Sequence, residues 1–361
     1  MRFLLCRMAI ASTMGAGLCS VGYAAGHVET SGPLTIQSQG SFFVGGALRH
    51  TDGVTGVNSG PDASRTGDIT TGQMYVQYQL PVSPKHLPVV MIHGGALSGQ
   101  AYETTPDGRM GWNEYFLRAG RPVYLVDQAG RGRSGVDATG FNATKLGLKP
   151  PADQPPVLII DHESAWTWFR IGPKFGTVFA DSQFPIDAVD AFYKMWIPDF
   201  NASLPNPNPS YGDLAILGQR IGGAIMIGHS QSFMFPERVA LIDPAAVRGI
   251  ISLESGYACD TSFTDGELAT LARIPILIVF ADHHAEAPEP SGSRWTTSMS
   301  QCRDFAASLK KAGGDVTFMH LPEMGIHGNT HMMMLDKNNL QIADLLLDWI
   351  NIHVEHAMNN D

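Results

Sequence analysis

The stretch Ile225-Met226-Ile227-Gly228-His229-Ser230-Gln231-Ser232 constrains this chain more than any other. Three apolar residues run into a short polar turn, and Phe233 to Leu241 follow with helical spacing. A buried strand, a tight turn and a helix are expected in that order. Such a bend holds a serine on a strained backbone and aims its hydroxyl out of a sheet. The turn needs small residues because strand and helix approach closely. Gly228 is one, and Ser232 stands where a second glycine is usual, so the motif is slightly off pattern. The string alone is a weak signal, and the rest of the chain decides what it means.

Short, branched, apolar runs recur on both sides of it: Leu87 to Ile92, Pro122 to Val126, Gly249 to Leu253 and Pro275 to Phe280. Strands buried on both faces of a mostly parallel sheet read this way. Asp315 to His320 reads as the last of them. Helical patterns lie between, over Asn113 to Ala119, Ser300 to Ala312 and Asn338 to His353. Alternating strand and helix predict a doubly wound α/β sheet. Earlier, Ser41 to Leu48 and Gln73 to Leu80 are strand-like, and residues 26–40 read as an irregular arm. Residues 138–211 break the alternation and are too long for a simple connection. They predict a mostly helical cap inserted before the serine strand. The aromatics at 166, 168, 169, 192, 193 and 196 either line an apolar pocket or pack the cap onto the sheet.

The first residues read as a targeting segment. Arg2 and Arg7 precede an apolar run from Met8 to Val21, and Gly22-Tyr23-Ala24 is a small-x-small cleavage site. Residues 1–24 are therefore expected to be a signal peptide, and 25–361 one domain exported to a periplasm or the medium. Cleavage removes Cys6 and Cys19. Cys259 and Cys302 remain, an even pair in an oxidising compartment, so a disulfide is expected. The net charge of −10 argues against nucleic acid and anionic membranes as partners. A homodimer is left open.

A serine hydroxyl is a poor nucleophile until a base takes its proton, and a third group must orient that base. Downstream of Ser230 the chain offers two loop histidines, His327 and His331, which the residues alone do not separate; His320 reads as structural, on the last strand. Two acids follow strands, Glu254 and Asp282. Placement after the later strand favours Asp282. An oxyanion needs two backbone N–H donors, and the loss of one costs roughly 3–4 kcal/mol of transition-state stabilisation. The amide of Gln231, at a helix start, and that of Gly95, in His93-Gly94-Gly95-Ala96, are the candidates.

Four strings carry a resemblance: Tyr102 to Trp112, Asp127 to Ser134, Gly228 to Ser232, and His327 to Met334. With them the chain resembles the α/β-hydrolases, and closely resembles a small family of secreted bacterial serine esterases, from about Phe42 to Ile350. The resemblance implies an α/β-hydrolase fold, a small-molecule ester substrate and no cofactor. It implies Ser230 as nucleophile, His331 as base, Glu254 rather than Asp282 as acid, and Gly95 and Gln231 as oxyanion donors. A member of that family has two adjacent cysteines where this chain has Gly95 and Ala96, so any stiffening by a vicinal disulfide is absent here. The rival readings are a lactonase with the same triad, a non-catalytic binding protein on the same scaffold, and a metal enzyme built on His283, His284, His327 and His331. The histidine spacings match no metal motif, and no metal is expected.

Overall fold

The computed structural model describes residues 28–52, 66–257 and 259–356; the expected signal peptide, with Cys6 and Cys19, lies outside them. Eight strands form one sheet: β1 (Ile36–Thr51), β2 (Gly67–Pro81), β3 (Val89–Ile92), β4 (Val123–Asp127), β5 (Ala224–His229), β6 (Val247–Leu253), β7 (Ile276–Phe280) and β8 (Val316–His320). Their order is β1-β2-β4-β3-β5-β6-β7-β8. The β1–β2 and β2–β4 pairs are antiparallel, and the rest of the sheet is parallel. β3, β5 and β7 are buried along their whole length, as continuous apolar runs covered on both faces must be.

The two leading strands are longer than their sequence suggests. Residues 36–40, expected to be irregular, extend β1 by pairing with the end of β2. They alternate between half-buried and exposed, so the apolar signal is faint and the cross-strand ladder supplies the order.

Helices cover both faces. α1 (Trp112–Arg118) comes first, then the short α2 (Thr139–Lys145), α3 (His162–Trp168) and α4 (Val189–Tyr193), then α5 (Pro209–Arg220) and α6 (Phe235–Ile242). α7 (Asp265–Leu271), α8 (Ser291–Lys311) and α9 (Asn339–Trp349) complete the set. Two apolar layers result. One joins Met91, Trp112, Phe116, Ile227 and Leu346; the other joins Val90, Leu217, Met226, Phe233 and Ile278. Alternate residues of β3 and β5 point into opposite layers, which is the period of a strand covered on both sides.

Between residues 138 and 208 the insertion before β5 holds short helices, turns and two isolated β-bridges, Leu158 with Asp199 and Lys174 with Thr177. Its last predicted residues, Pro209 to Tyr211, instead open α5, whose buried Leu214 and Leu217 belong to the sheet's own core. Phe192 and Trp196 pack against Phe169, and Phe192 also against Phe184; Tyr193 packs on Phe192 and Trp196, and Trp166 on Phe175. Cys259 and Cys302 form a disulfide that ties the loop after β6 to α8 across a separation of 43 residues. Closing a loop of that length stabilises the fold by roughly 2–4 kcal/mol. No helix among the described residues is long and apolar enough to cross a membrane.

Candidate active site

Ser230 sits where β5 turns toward α6, with a left-handed backbone (φ 56°). Gly228 is required there, because a Cβ would lie 2.3 Å from the Ser232 carbonyl oxygen. Ser232 makes its own use of the off-pattern position. Its hydroxyl accepts from the His229 amide at 2.9 Å and reaches the Ile92 carbonyl at 2.9 Å, tying the bend to the end of β3.

The strained positions cluster. Among the described residues, the non-glycine left-handed backbones are Ala96, Arg170, Ser230, Glu254 and His283. Each costs on the order of 1–3 kcal/mol, and such outliers gather where a site fixes its groups. Three of them form or hold one hydrogen-bonded line. His331 Nε2 lies 2.8 Å from Ser230 Oγ, and His331 Nδ1 lies 3.0 Å from Glu254 Oε2. The Arg170 guanidinium donates to Glu254 Oε2; the Ala281 amide and, at 3.2 Å, His284 Nε2 engage Glu254 Oε1.

His331 and Glu254 are completely buried. Burial alone would raise the Glu254 carboxyl, but the Arg170 charge and the bonds from His284 and His331 hold it well below its ordinary value. Burial also lowers His331; the Glu254 carboxylate pulls the other way, and Arg170 opposes it. The imidazole is therefore neutral near pH 7, with a proton acceptor free for a hydroxyl. Phe169 stacks parallel to it at 5.3 Å and Trp295 packs at 4.8 Å, so the ring has one orientation.

The other predicted acid and base stand elsewhere. His327 is 58% exposed and 3.4 Å from Asp282. Asp282 accepts the Gly328 amide at 2.9 Å and the His283 amide at 2.7 Å, which shapes the histidine loop. The histidines of the metal reading divide among three carboxylates: His284 and His331 on Glu254, His327 on Asp282, and His283 on Asp181. His320 ends β8, as expected of a structural residue.

Gly95 and Gln231 line one cavity with Ser230, of about 370 Å³. Trp168 and Phe169 line it too, so those two insertion aromatics face the pocket while the others pack the insertion. Gly94 has no room for a side chain, since a Cβ would lie 2.9 Å from the Ser230 Cβ. Behind this loop is a buried clamp that the sequence did not disclose. Asp199 accepts from the Ala96 amide at 3.2 Å, from Gln231 Nε2 at 3.0 Å and from the Arg131 guanidinium. Ile197 donates to the Ala96 carbonyl at 2.9 Å. Arg170 and Trp295 carry no sequence signal either, and His284 is marked only by the metal reading. Each lies far along the chain from its partner, and no local pattern announces it.

The strings that first marked this chain meet around the site. Arg109 donates to the Leu335 and Asp336 carbonyls at 2.8 Å, and Trp112 donates to Asn339 at 2.9 Å, fixing the segment that follows His331. Asp127 accepts the amides of Gly99 and Arg133, each at 2.8 Å, holding the loop after β3 against the loop after β4.

No protein-family model matches the chain. A probable secreted lipase, phiG, of a fungal species (Fungal sp. strain ATCC 74256) is 31% identical over 343 residues, covering 77% of this chain and 85% of that protein. A solved structure, described as a novel bacterial esterase, superposes with a TM-score of 0.83 at 43% identity, covering 89% of this chain and 97% of that one. With the mostly parallel eight-stranded sheet and the serine at its sharpest bend, these likenesses lead to one conclusion: the chain belongs to the α/β-hydrolase family and, within it, to the esterases and lipases.

Proposed function

We propose that the chain is an exported carboxylesterase that forms an acyl-enzyme on Ser230. The line Ser230–His331–Glu254, with contacts of 2.8 and 3.0 Å, is the observation that carries this reading. His331 takes the Ser230 proton as Oγ attacks the ester carbonyl carbon. The carbonyl oxygen becomes an oxyanion, received by the amides of Gly95 and Gln231. His331 then gives its proton to the departing alcohol, leaving Ser230 acylated. Water, deprotonated by His331, attacks the acyl carbon; the acid leaves and Ser230 recovers its proton. Glu254 keeps the imidazole in the required tautomer and stabilises the transient imidazolium. No step calls for a cofactor. Export is supported by the Cys259–Cys302 disulfide and by the relative described as secreted.

Ser230→Ala should abolish hydrolysis of a simple ester such as ethyl hexanoate while the folded circular dichroism spectrum is retained. Turnover persisting within tenfold of the native rate would refute the reading. The lactonase alternative uses the same steps on a cyclic ester, and comparing lactones with open-chain esters of equal carbon number separates the two. A non-catalytic binding protein would have no need of the wired serine.

A further inference from the structure

The cavity at Ser230 contains a cation that the steps above do not use. Its walls are largely apolar: Leu158, Ile159, Ile160, Trp168 and Phe169. Arg294, on α8, is the cationic residue among its lining residues. The guanidinium lies 4.5 Å over the Trp168 ring and 4.9 Å from the Tyr257 ring, so two aromatic faces hold its plane. One N–H donates to the Gly256 carbonyl at 3.0 Å. Gly256 in turn packs on the nucleophile, since a Cβ there would lie 2.9 Å from Ser230 Oγ. The charge is thus anchored one residue away from the reacting hydroxyl.

The other two arginines near the site are matched: Arg131 with Asp199, and Arg170 with Glu254. Arg294 has no carboxylate within ion-pair distance among the described residues, in a chain with 34 acidic and 24 basic residues. The one acid lining the cavity, Asp161, has both oxygens engaged by Ser164, with its amide at 2.6 Å and its hydroxyl at 2.9 Å, where it caps α3. A planar guanidinium held by stacking keeps most of its five donors available, in a fork that fits a carboxylate.

We propose that Arg294 forms an anion subsite, and that the preferred substrates are esters with an apolar body and a free carboxylate, such as monoesters of dicarboxylic acids. This rests on the serine-esterase reading above and narrows its substrate class. The carboxylate docks on the Arg294 fork while the apolar segment lies along Ile159 and Trp168, which sets the ester carbonyl at Ser230.

Two matched pairs of esters test it. Monoethyl adipate against ethyl hexanoate replaces a terminal methyl with a carboxylate on the acyl side. 4-Acetoxybenzoate against 4-methylphenyl acetate does the same on the leaving-group side. In the native enzyme, at least one pair should show kcat/KM favouring the anion by about 10- to 100-fold, the size of a charge-assisted hydrogen bond. Arg294→Gln should bring that ratio close to one, mainly through the KM of the anionic ester, and Arg294→Lys should restore part of it. Raising NaCl should shrink the native ratio, a check that needs no variant. A native ratio of one or less in both pairs overturns the subsite. So does a ratio that Arg294→Gln leaves intact while slowing both esters equally, since that loss would be structural. Ser230→Ala separates the two readings. If it abolishes turnover of all four esters, the serine mechanism stands whatever the ratio; if it does not, that mechanism fails first.

Discussion

Two carboxylate–histidine pairs stand at the ends of neighbouring strands, and only one of them reaches the serine. Glu254 follows β6 and meets His331, with both side chains wholly buried. Asp282 comes two residues after β7 and meets His327, which is 58% exposed. The first carboxylate has both oxygens engaged: Arg170 shares Oε2 with His331, and His284 and the Ala281 amide take Oε1. The second carboxylate spends its oxygens on the Gly328 and His283 amides. Those bonds outweigh its partial burial and keep it ionised below the usual range. Asp282 thus shapes the loop that carries His331, while Glu254 holds the His331 ring itself.

The sharpest way to break this contrast is to delete the two bases. His331→Ala should lower kcat/KM about 10⁴-fold or more, and His327→Ala less than about tenfold. Steady-state hydrolysis of ethyl hexanoate measures both, and comparable losses would erase the distinction. Next come the acids. Glu254→Gln should cost about 10³- to 10⁴-fold in kcat, since the imidazole loses its orienting anion. Asp282→Asn keeps an acceptor for at least one loop amide and should cost less than about tenfold.

A smaller loss is expected at the clamp behind Gly95. Asp199→Asn turns an amide donor either toward Arg131 or toward the Gln231 side chain and the Ala96 amide, which donate to opposite oxygens. It should lower kcat about 10- to 100-fold with KM nearly constant, because the disturbed amides act on the transition state. A rise in KM at constant kcat would place Asp199 in substrate binding instead. The smallest effect is in pH. Protonated His331 cannot take the serine proton, and burial lowers it below the ordinary 6.5. Activity should therefore be flat across neutrality and fall only as pH drops through a value under 6.5, with the same profile in His327→Ala. A midpoint at or above 6.5 would contradict the buried, neutral imidazole.

Much of the frame was legible in the sequence. β3 to β8 announce themselves as branched apolar runs, and the bend at Ser230 is marked by Gly228 and the helix that follows. The pairing of Cys259 with Cys302 was expected from their being the two cysteines outside the predicted targeting segment. The choice between Glu254 and Asp282 was not legible from local pattern, because each is a carboxylate just past a strand. What separates them is tertiary. Arg170 and His284 reach Glu254 from 84 and 30 residues away, and the left-handed turn at Glu254 aims it inward. The resemblance implied Glu254, and its contact with His331 supports that proposal. The clamp at Asp199 was hidden for the same cause: its partners come from three separate segments, and a buried aspartate in a Pro-rich, irregular stretch has no periodic signature.

If His331 and Glu254 make the Ser230 hydroxyl reactive, the rate at which an alkyl fluorophosphonate attaches to the protein must depend on both. The label should map to the peptide containing Ser230. Its rate should collapse in His331→Ala and Glu254→Gln and persist in His327→Ala and Asp282→Asn. A label on another residue, or a rate that collapses with the exposed pair instead of the buried one, would contradict the account.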